Sequence, residues 1–286
     1  PFLKACIGAK FPGKNDANKG IAIRLGTNAA ICFDQDLLRW SAGWTGGFVS
    51  TKGVTFDGSH GGHPELIGEQ QFGLRVQPGW ADASGSFKDP RKEPYGPLPR
   101  AWGRVSSLQV HGMEVTVSYD VLGTPVKERA EVVERDGVTA FVRNISLGKN
   151  PKELLAAVCE VEGAQGKVEG NQATLTAASG QVTVVAVSGA PKGAKLELVD
   201  GSRVLLRIPA GAGAGGFKLA IARTDAASVG KVAALAQGAP RFNDAAKAGK
   251  PHWPEPVVTH GVLAASSTPD GAYVQDVLTP PVPNPW

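Results

Sequence analysis

The 286-residue chain is long enough for one large all-β or α/β domain or for two ordinary ones. Its 37 glycines and 21 prolines, about a fifth of the residues, speak against a helical bundle, and 42% hydrophobic with 20% charged residues speaks against disorder. The net charge of +4 arises from 30 basic and 26 acidic side chains that are interleaved rather than striped, which argues against a nucleic-acid binder, and no apolar run approaches the ~18 residues of a membrane span.

In chain order, no basic-then-apolar signal segment opens at Pro1, which reads as a mature, processed protein or a fragment. Residues 1–19 read as an irregular lead-in ending in a polar Lys/Asn/Asp cluster. The first predicted hairpin follows: Ile21, Ile23 and Leu25 alternate inward, Gly26-Thr27-Asn28 turns the chain, and Ile31 and Phe33 lead to Asp34. From Gly20 to Trp102 the sequence is rich in aromatics; from about Val105 to Arg223 it becomes regular alternating strands. Val115, Val117, Tyr119 and Val121, alternating with polar residues, are the clearest of these. Asp136-Gly137, Gly170-Asn171, Ser179-Gly180 and Asp200-Gly201 punctuate the run as tight turns. The GAGAGG stretch at residues 211–216 reads as a flexible hairpin tip, lacking the strand-then-helix setting of a nucleotide loop.

Asp225 can cap a short helix whose partial apolar face holds Val229, Val232 and Leu235, with Gly238 ending it. The Pro-rich remainder favours extended chain. The expected fold is therefore mainly β: an antiparallel β-sandwich, in the larger supersandwich form, with one short C-terminal helix and an extended tail. The expected domain limits are 1–248 for the sandwich and 249–286 for an arm or linker to a following domain.

Three widely spaced cysteines, Cys6, Cys32 and Cys159, form neither a CxxC nor a haem-attachment pair and favour buried, inert thiols. Asp34 and Asp36 flank one residue and so share a strand face, where they could do acid/base work; alternatively one pairs with Arg39. Trp40 and Trp44 stand in a glycine-loosened segment, and a flat indole there could lie on a sugar ring or fill the core. Trp80 and Trp102 stand in Pro/Gly-rich loops and read as the more exposed pair. His60 and His63, with Asp57 and Glu65 near them, could hold a metal or serve as acid/base groups, but their spacing matches no zinc motif and no metal is assigned. The long stretch from Pro78 to Trp102 carries Trp80, Asp82, Lys88, Asp89, Arg91, Tyr95 and Arg100, enough polar and aromatic groups for a carbohydrate-binding rim.

The segments AAICFDQDLLRWSAGWTGGFV, FDGSHGGHP, PGWAD, DPR…PYGPLPRAWGR and GAYVQDVLTPPVPNPW together resemble an uncharacterised domain family. That family lies near the N-terminus of large secreted or periplasmic proteins of planctomycetes and verrucomicrobia. There it precedes a glucose-dehydrogenase-like propeller and c-type haem domains. The resemblance implies export and a propeller or haem redox partner domain, but it transfers no haem, since the chain has no CxxCH. The strand order also resembles the galactose-mutarotase-type supersandwich, a fold analogy only.

The expectation is thus an extracytoplasmic carbohydrate-binding or docking module without a cofactor of its own. Trp44, His60, His63, Trp80, Asp82, Tyr95 and Arg100 are its ligand-binding candidates. The alternatives are a carbohydrate-active enzyme using His60 or His63 with Asp34, Asp57 or Glu65, and a purely structural assembly module.

Overall fold

A computed structural model describes residues 1–7, 15–50, 64–91, 96–243, 258–262 and 276–280. The chain divides into two compact units, Pro1–Asn243 and Asp244–Trp286. In the second unit Val262 and Val277 form an antiparallel bridge. The first unit is built from strands β1 (Phe2–Ile7), β2 (Ala17–Leu25), β3 (Ala29–Asp34), β4 (Arg39–Thr45), β5 (Val49–Ser50), β6 (Glu65–Leu66) and β7 (Glu69–Gly73). It continues with β8 (Gly103–His111), β9 (Glu114–Val121), β10 (Thr124–Arg135), β11 (Val138–Leu147), β12 (Leu154–Glu160) and β13 (Gln165–Glu169). The last are β14 (Gln172–Thr176), β15 (Val182–Ser188), β16 (Lys195–Val199), β17 (Arg203–Ile208) and β18 (Gly215–Thr224).

These strands form two antiparallel sheets of eight. The first runs β1-β2-β3-β4-β7-β12-β17-β16 and the second β13-β14-β15-β18-β11-β10-β9-β8, with β5 and β6 as a separate small pair. The alternation read from the sequence packs one face of each sheet into a shared core, where Ile21, Ile23 and Ile31 meet Val117, Phe141 and Ile221. Tight turns sit where the sequence places them: Asp136-Gly137 and Asp200-Gly201 both have the two positive φ angles of a type I′ hairpin. Leu122-Gly123 adopts the same form with leucine at φ 51°, a position that favours glycine or asparagine; the side chain is nonetheless buried in the core.

Two bulges reset the phase of the alternation. In β4, Ser41 is the extra residue: Cys32 pairs with Ala42 while Phe33 pairs with Trp40. As a result Trp40 enters the core between the sheets, whereas Ala42 and Trp44 pack on the outer face of the first sheet. A regular strand would put residues 40 and 44 on the same side. A second shift between Ala157 and Cys159 turns Val158 and Cys159 both into the core.

Across the core runs a buried polar chain. Glu128 on β10 and Arg143 on β11 both point inward, at 0% and 3% exposure. Arg143 Nε and Nη2 donate to the two Glu128 oxygens at 2.8 and 2.9 Å. Trp40 from the opposite sheet donates its Nε1–H to Glu128 Oε2 at 2.9 Å, and the Tyr119 hydroxyl on β9 donates to Oε1. Trp80 Nε1 donates to the Tyr119 oxygen at 3.1 Å, and Trp102 Nε1 donates to the Trp80 carbonyl at 2.9 Å. Burial by itself would lower the Arg143 pKa, but the Glu128 carboxylate raises it overall; burial, then Glu128, pushes the Tyr119 phenol well above its usual value. Arg143 stays charged and Tyr119 stays a donor.

Three expectations change. Within the expected irregular lead-in, Phe2–Ile7 forms an edge strand that pairs with β2. The GAGAGG stretch is no hairpin tip, because β17 and β18 belong to different sheets and the segment crosses between them. The Pro78–Trp102 stretch is not an open rim throughout. Gly79 N–H donates to the Leu37 carbonyl at 2.7 Å and Ala157 N–H to the Gly79 carbonyl at 2.8 Å, so residues 79–81 lie between the start of β4 and β12. Only glycine fits there, since a Cβ on Gly79 would stand 2.1 Å from the Leu38 oxygen. Trp80, Leu98 and Trp102 are buried beneath this strap. The expected helix is present as a 3-10 turn, Ala226–Ser228, capped by Asp225 and followed by α1 (Val229–Leu235). Its Val232 and Leu235 cover Val184, Ala220 and Ala222 on the outer face of the second sheet.

Removing one member of the Glu128–Arg143 pair leaves an uncompensated buried charge. Arg143→Ala or Glu128→Ala is expected to lower stability by about 3–5 kcal/mol in urea unfolding, whereas Lys167→Ala, in an exposed pair with Glu169, stays within about 0.5 kcal/mol. Equal effects at the two sites would refute the central role of the buried pair.

The buried Cys32 and Cys159 thiols are pushed up to about 12 from 9.0, chiefly by burial. The native state holds these protons more tightly than the unfolded chain. This stabilising contribution is therefore intact below pH 9 and is lost as pH rises toward 12. In thiol titration at pH 8, both are expected to stay silent in the native protein and to react once it is unfolded in urea; rapid native labelling of either would contradict the packing.

Candidate functional site

The candidate residues fall into three groups. Trp44 is 0% exposed, packed with Ala42, Cys32 and Leu66, and its Nε1–H donates to the Phe48 carbonyl at 2.8 Å. Trp80 is 2% exposed within the buried polar chain. Neither indole offers a free face, so sugar stacking by Trp44 or Trp80 is replaced by a packing role; the hydrophobic gain of burying a large ring outweighs leaving it in water. His60, His63 and Tyr95 lie outside the described residues, as does Asp57. Asp82 and Arg100 are open to solvent, Asp82 in part.

The paired carboxylates Asp34 and Asp36 do not form an open acid/base site. Arg39 Nε donates to Asp34 Oδ2 at 3.1 Å, and the Asp36 and Leu37 amides donate to Asp34 Oδ1. Arg39 is held in turn by the Leu74 carbonyl at 2.6 Å and by those of Arg75, Asn15 and Asp16. Asp34 thus fixes the β3–β4 turn. Burial raises the Asp36 carboxyl pKa against the lowering influence of Lys19. Glu65, the other carboxylate of the enzyme alternative, is half-buried in β6. Among the described residues no group of three His, Cys, Asp or Glu side chains is placed to hold a metal ion.

Asp82 lines an open cleft of about 480 Å³ with Ser84, Gly85, Lys152, Glu153, Leu155 and Arg207. The 82–86 segment folds as an Asx turn: Asp82 Oδ1 accepts from Ser84 N at 2.8 Å, Ser84 Oγ at 2.7 Å and Ser86 N at 3.0 Å. The Ser84 hydroxyl, then the Ser86 amide, hold the Asp82 carboxyl below its usual value. Across the cleft, Arg207 Nε donates to Glu197 at 2.9 Å and Nη1 to Glu153, which commits the guanidinium to two carboxylates. The opening thus carries the fixed Asp82 carboxylate, Lys152, and an Arg207 already paired with Glu153 and Glu197.

A second cleft, of about 350 Å³, opens between the sheets where β7 and the end of β12 face β15 and β18. Arg223 on β18 spans it, donating to the Gln70 carbonyl at 3.0 Å and pairing with Glu69. Gln71 and the Gln70 backbone line it, while the Gln70 side chain packs with Asn15 over Gly73 on the outer face of the first sheet. Asn15 Nδ2 donates to Gln70 Oε1 at 3.1 Å, and Gln71 Nε2 donates to Thr45 Oγ1 at 2.9 Å. This cleft is not visible in the sequence because its lining, Phe72 included, comes from segments far apart along the chain.

Residues 31–128 match a family described as a domain of unknown function, DUF6797. No curated protein matches the chain.

Proposed function

We propose that this chain is an extracytoplasmic saccharide-binding or accessory module within a larger protein, with the Asp82 cleft as its ligand surface. What supports this most directly is the arrangement of that cleft: one carboxylate fixed by three hydrogen bonds, with Lys152 and Arg207 on the same opening. Sugar hydroxyls both donate and accept, so a carboxylate flanked by cations can engage two neighbouring hydroxyls at once. Each hydrogen bond to a charged group contributes about 1.5–3 kcal/mol. Of the carboxylates considered for the enzyme alternative, Asp34 is committed to Arg39 and two backbone amides. Export and a propeller or haem partner domain follow from the family resemblance, with which the DUF6797 match over residues 31–128 is compatible.

Titration calorimetry against neutral and acidic oligosaccharides is expected to give heat with at least one of them. Asp82→Ala and Lys152→Ala are each expected to weaken that binding about tenfold or more. Lys152 is exposed, so its variant tests the cleft without disturbing the turn. No heat with any saccharide, or unchanged affinity in both variants, overturns the proposal.

A further inference from the structure

The geometry points to a peptide seat on the outer face of the second sheet, filled by the chain's own residues 240–243 and built for an extended partner segment with a proline and, two residues on, an aromatic. It is independent of the saccharide reading and shares no residue with either cleft described above. After α1 the chain passes over β18, β11 and β10, where one residue is held through its backbone. Arg241 N–H donates to Asn144 Oδ1 at 2.9 Å, and the Arg241 carbonyl accepts from Arg129 Nε at 2.9 Å. Both reading groups are buried, Asn144 at 0% and Arg129 at 5% exposure, and both are aimed by their neighbours. Asn144 commits its Nδ2 to the Glu131 carboxylate and the Arg129 carbonyl, which leaves Oδ1 as the acceptor. Arg129 commits Nη1 to Glu114 and Nη2 to Glu131, each at 2.7 Å, which leaves Nε as the donor. A fixed acceptor and donor of this kind recognise main chain, whatever side chain stands at that position.

Selectivity comes from the two flanking residues. Pro240 is half-buried against Gly216, where a Cβ would stand 2.5 Å from Pro240 Cγ. Phe242 is half-buried with Lys127 Nζ 4.8 Å from its ring centroid, while the Arg241 side chain between them is exposed. Two further features suit the seat to exchange. Residues 237–239, which lead into it, are exposed, and Gly238 takes φ +87°, so the segment hangs on its own few contacts. A cleft of about 260 Å³ also stays open between residues 241–243 and Glu114, Arg129 and Glu131, which makes the seat wider than its resident.

The test uses a fluorescein-labelled peptide of residues 238–243, Gly-Ala-Pro-Arg-Phe-Asn, followed by anisotropy with the full chain and with its Pro240→Ala/Phe242→Ala variant. In that variant the resident segment has lost both anchors. A tethered segment competes at an effective concentration of about millimolar, so the peptide is expected to bind the variant at least about tenfold more tightly than the unaltered chain. A peptide with alanine at both anchors is expected not to bind. Gly216→Ala added to the variant is expected to abolish binding while sparing the fold, because its Cβ otherwise meets the Ile145 oxygen at 3.5 Å, an ordinary contact. No binding to the variant, equal binding of the alanine peptide, or binding that survives Gly216→Ala overturns the inference. Concentration-dependent dimers of the unaltered chain that Gly216→Ala dissolves would give the seat to a second copy and overturn the partner assignment.

Discussion

Two opposite charges sealed between two sheets set the terms for the rest of this molecule. A carboxylate and a guanidinium withdrawn from water cost several kcal/mol each unless the geometry between them is good and the remaining oxygen and N–H positions are filled. Glu128 meets that demand with four donors: two from Arg143, one from Tyr119 and one from Trp40. Three of these groups lie on adjacent strands of the second sheet, but Trp40 belongs to the first. The sheets are therefore held in one relative register by polar directionality as well as by apolar area. Hydrophobic burial alone tolerates sliding; a hydrogen bond at 2.9 Å does not.

That requirement reaches outward along the chain. Trp40 faces Glu128, and past the Ser41 bulge Trp44 faces the other way. Tyr119 leads to Trp80, and Trp80 leads to Trp102, so the strap from residue 78 to 102 is tied at both ends to the same polar chain. Trp40, Trp80 and Trp102 are consumed in this way. Trp40, Trp80 and Trp102 brace the core and Trp44 packs on the outer face of the first sheet, so none of the four presents an indole to solvent. A saccharide reading of the molecule thus rests on hydroxyl chemistry rather than on stacking.

The strands, most hairpins and the capped helix were legible because each depends on local signals. Alternation at period two, Asp-Gly at a type I′ turn and an aspartate three residues before a free amide act within a few residues of themselves. The candidate sites were less legible. Asp82 announced itself as a polar residue in a long loop, yet the same loop suggested Trp80 as its companion, and one residue packs inward while the other stays open. Glu128 and Arg143 gave no warning, since a charged residue in an alternating strand normally belongs to the wet face. Gln70, Glu162 and Arg223 are separated by up to about 150 positions and meet only because β7, β12 and β18 reach the same edge of the sandwich.

The sequence by itself determined the all-antiparallel β character of this protein, its turns and its one short helix, because propensity and periodicity are properties of neighbouring residues. Only the tertiary structure decided which faces became interior. A single extra residue at Ser41 reverses the side on which a tryptophan lies, and the pairing of sheets determines whether a glutamate meets water or an arginine. The sense of a side chain in a strand is set by its partners across the sheet, and those partners are distant in the chain.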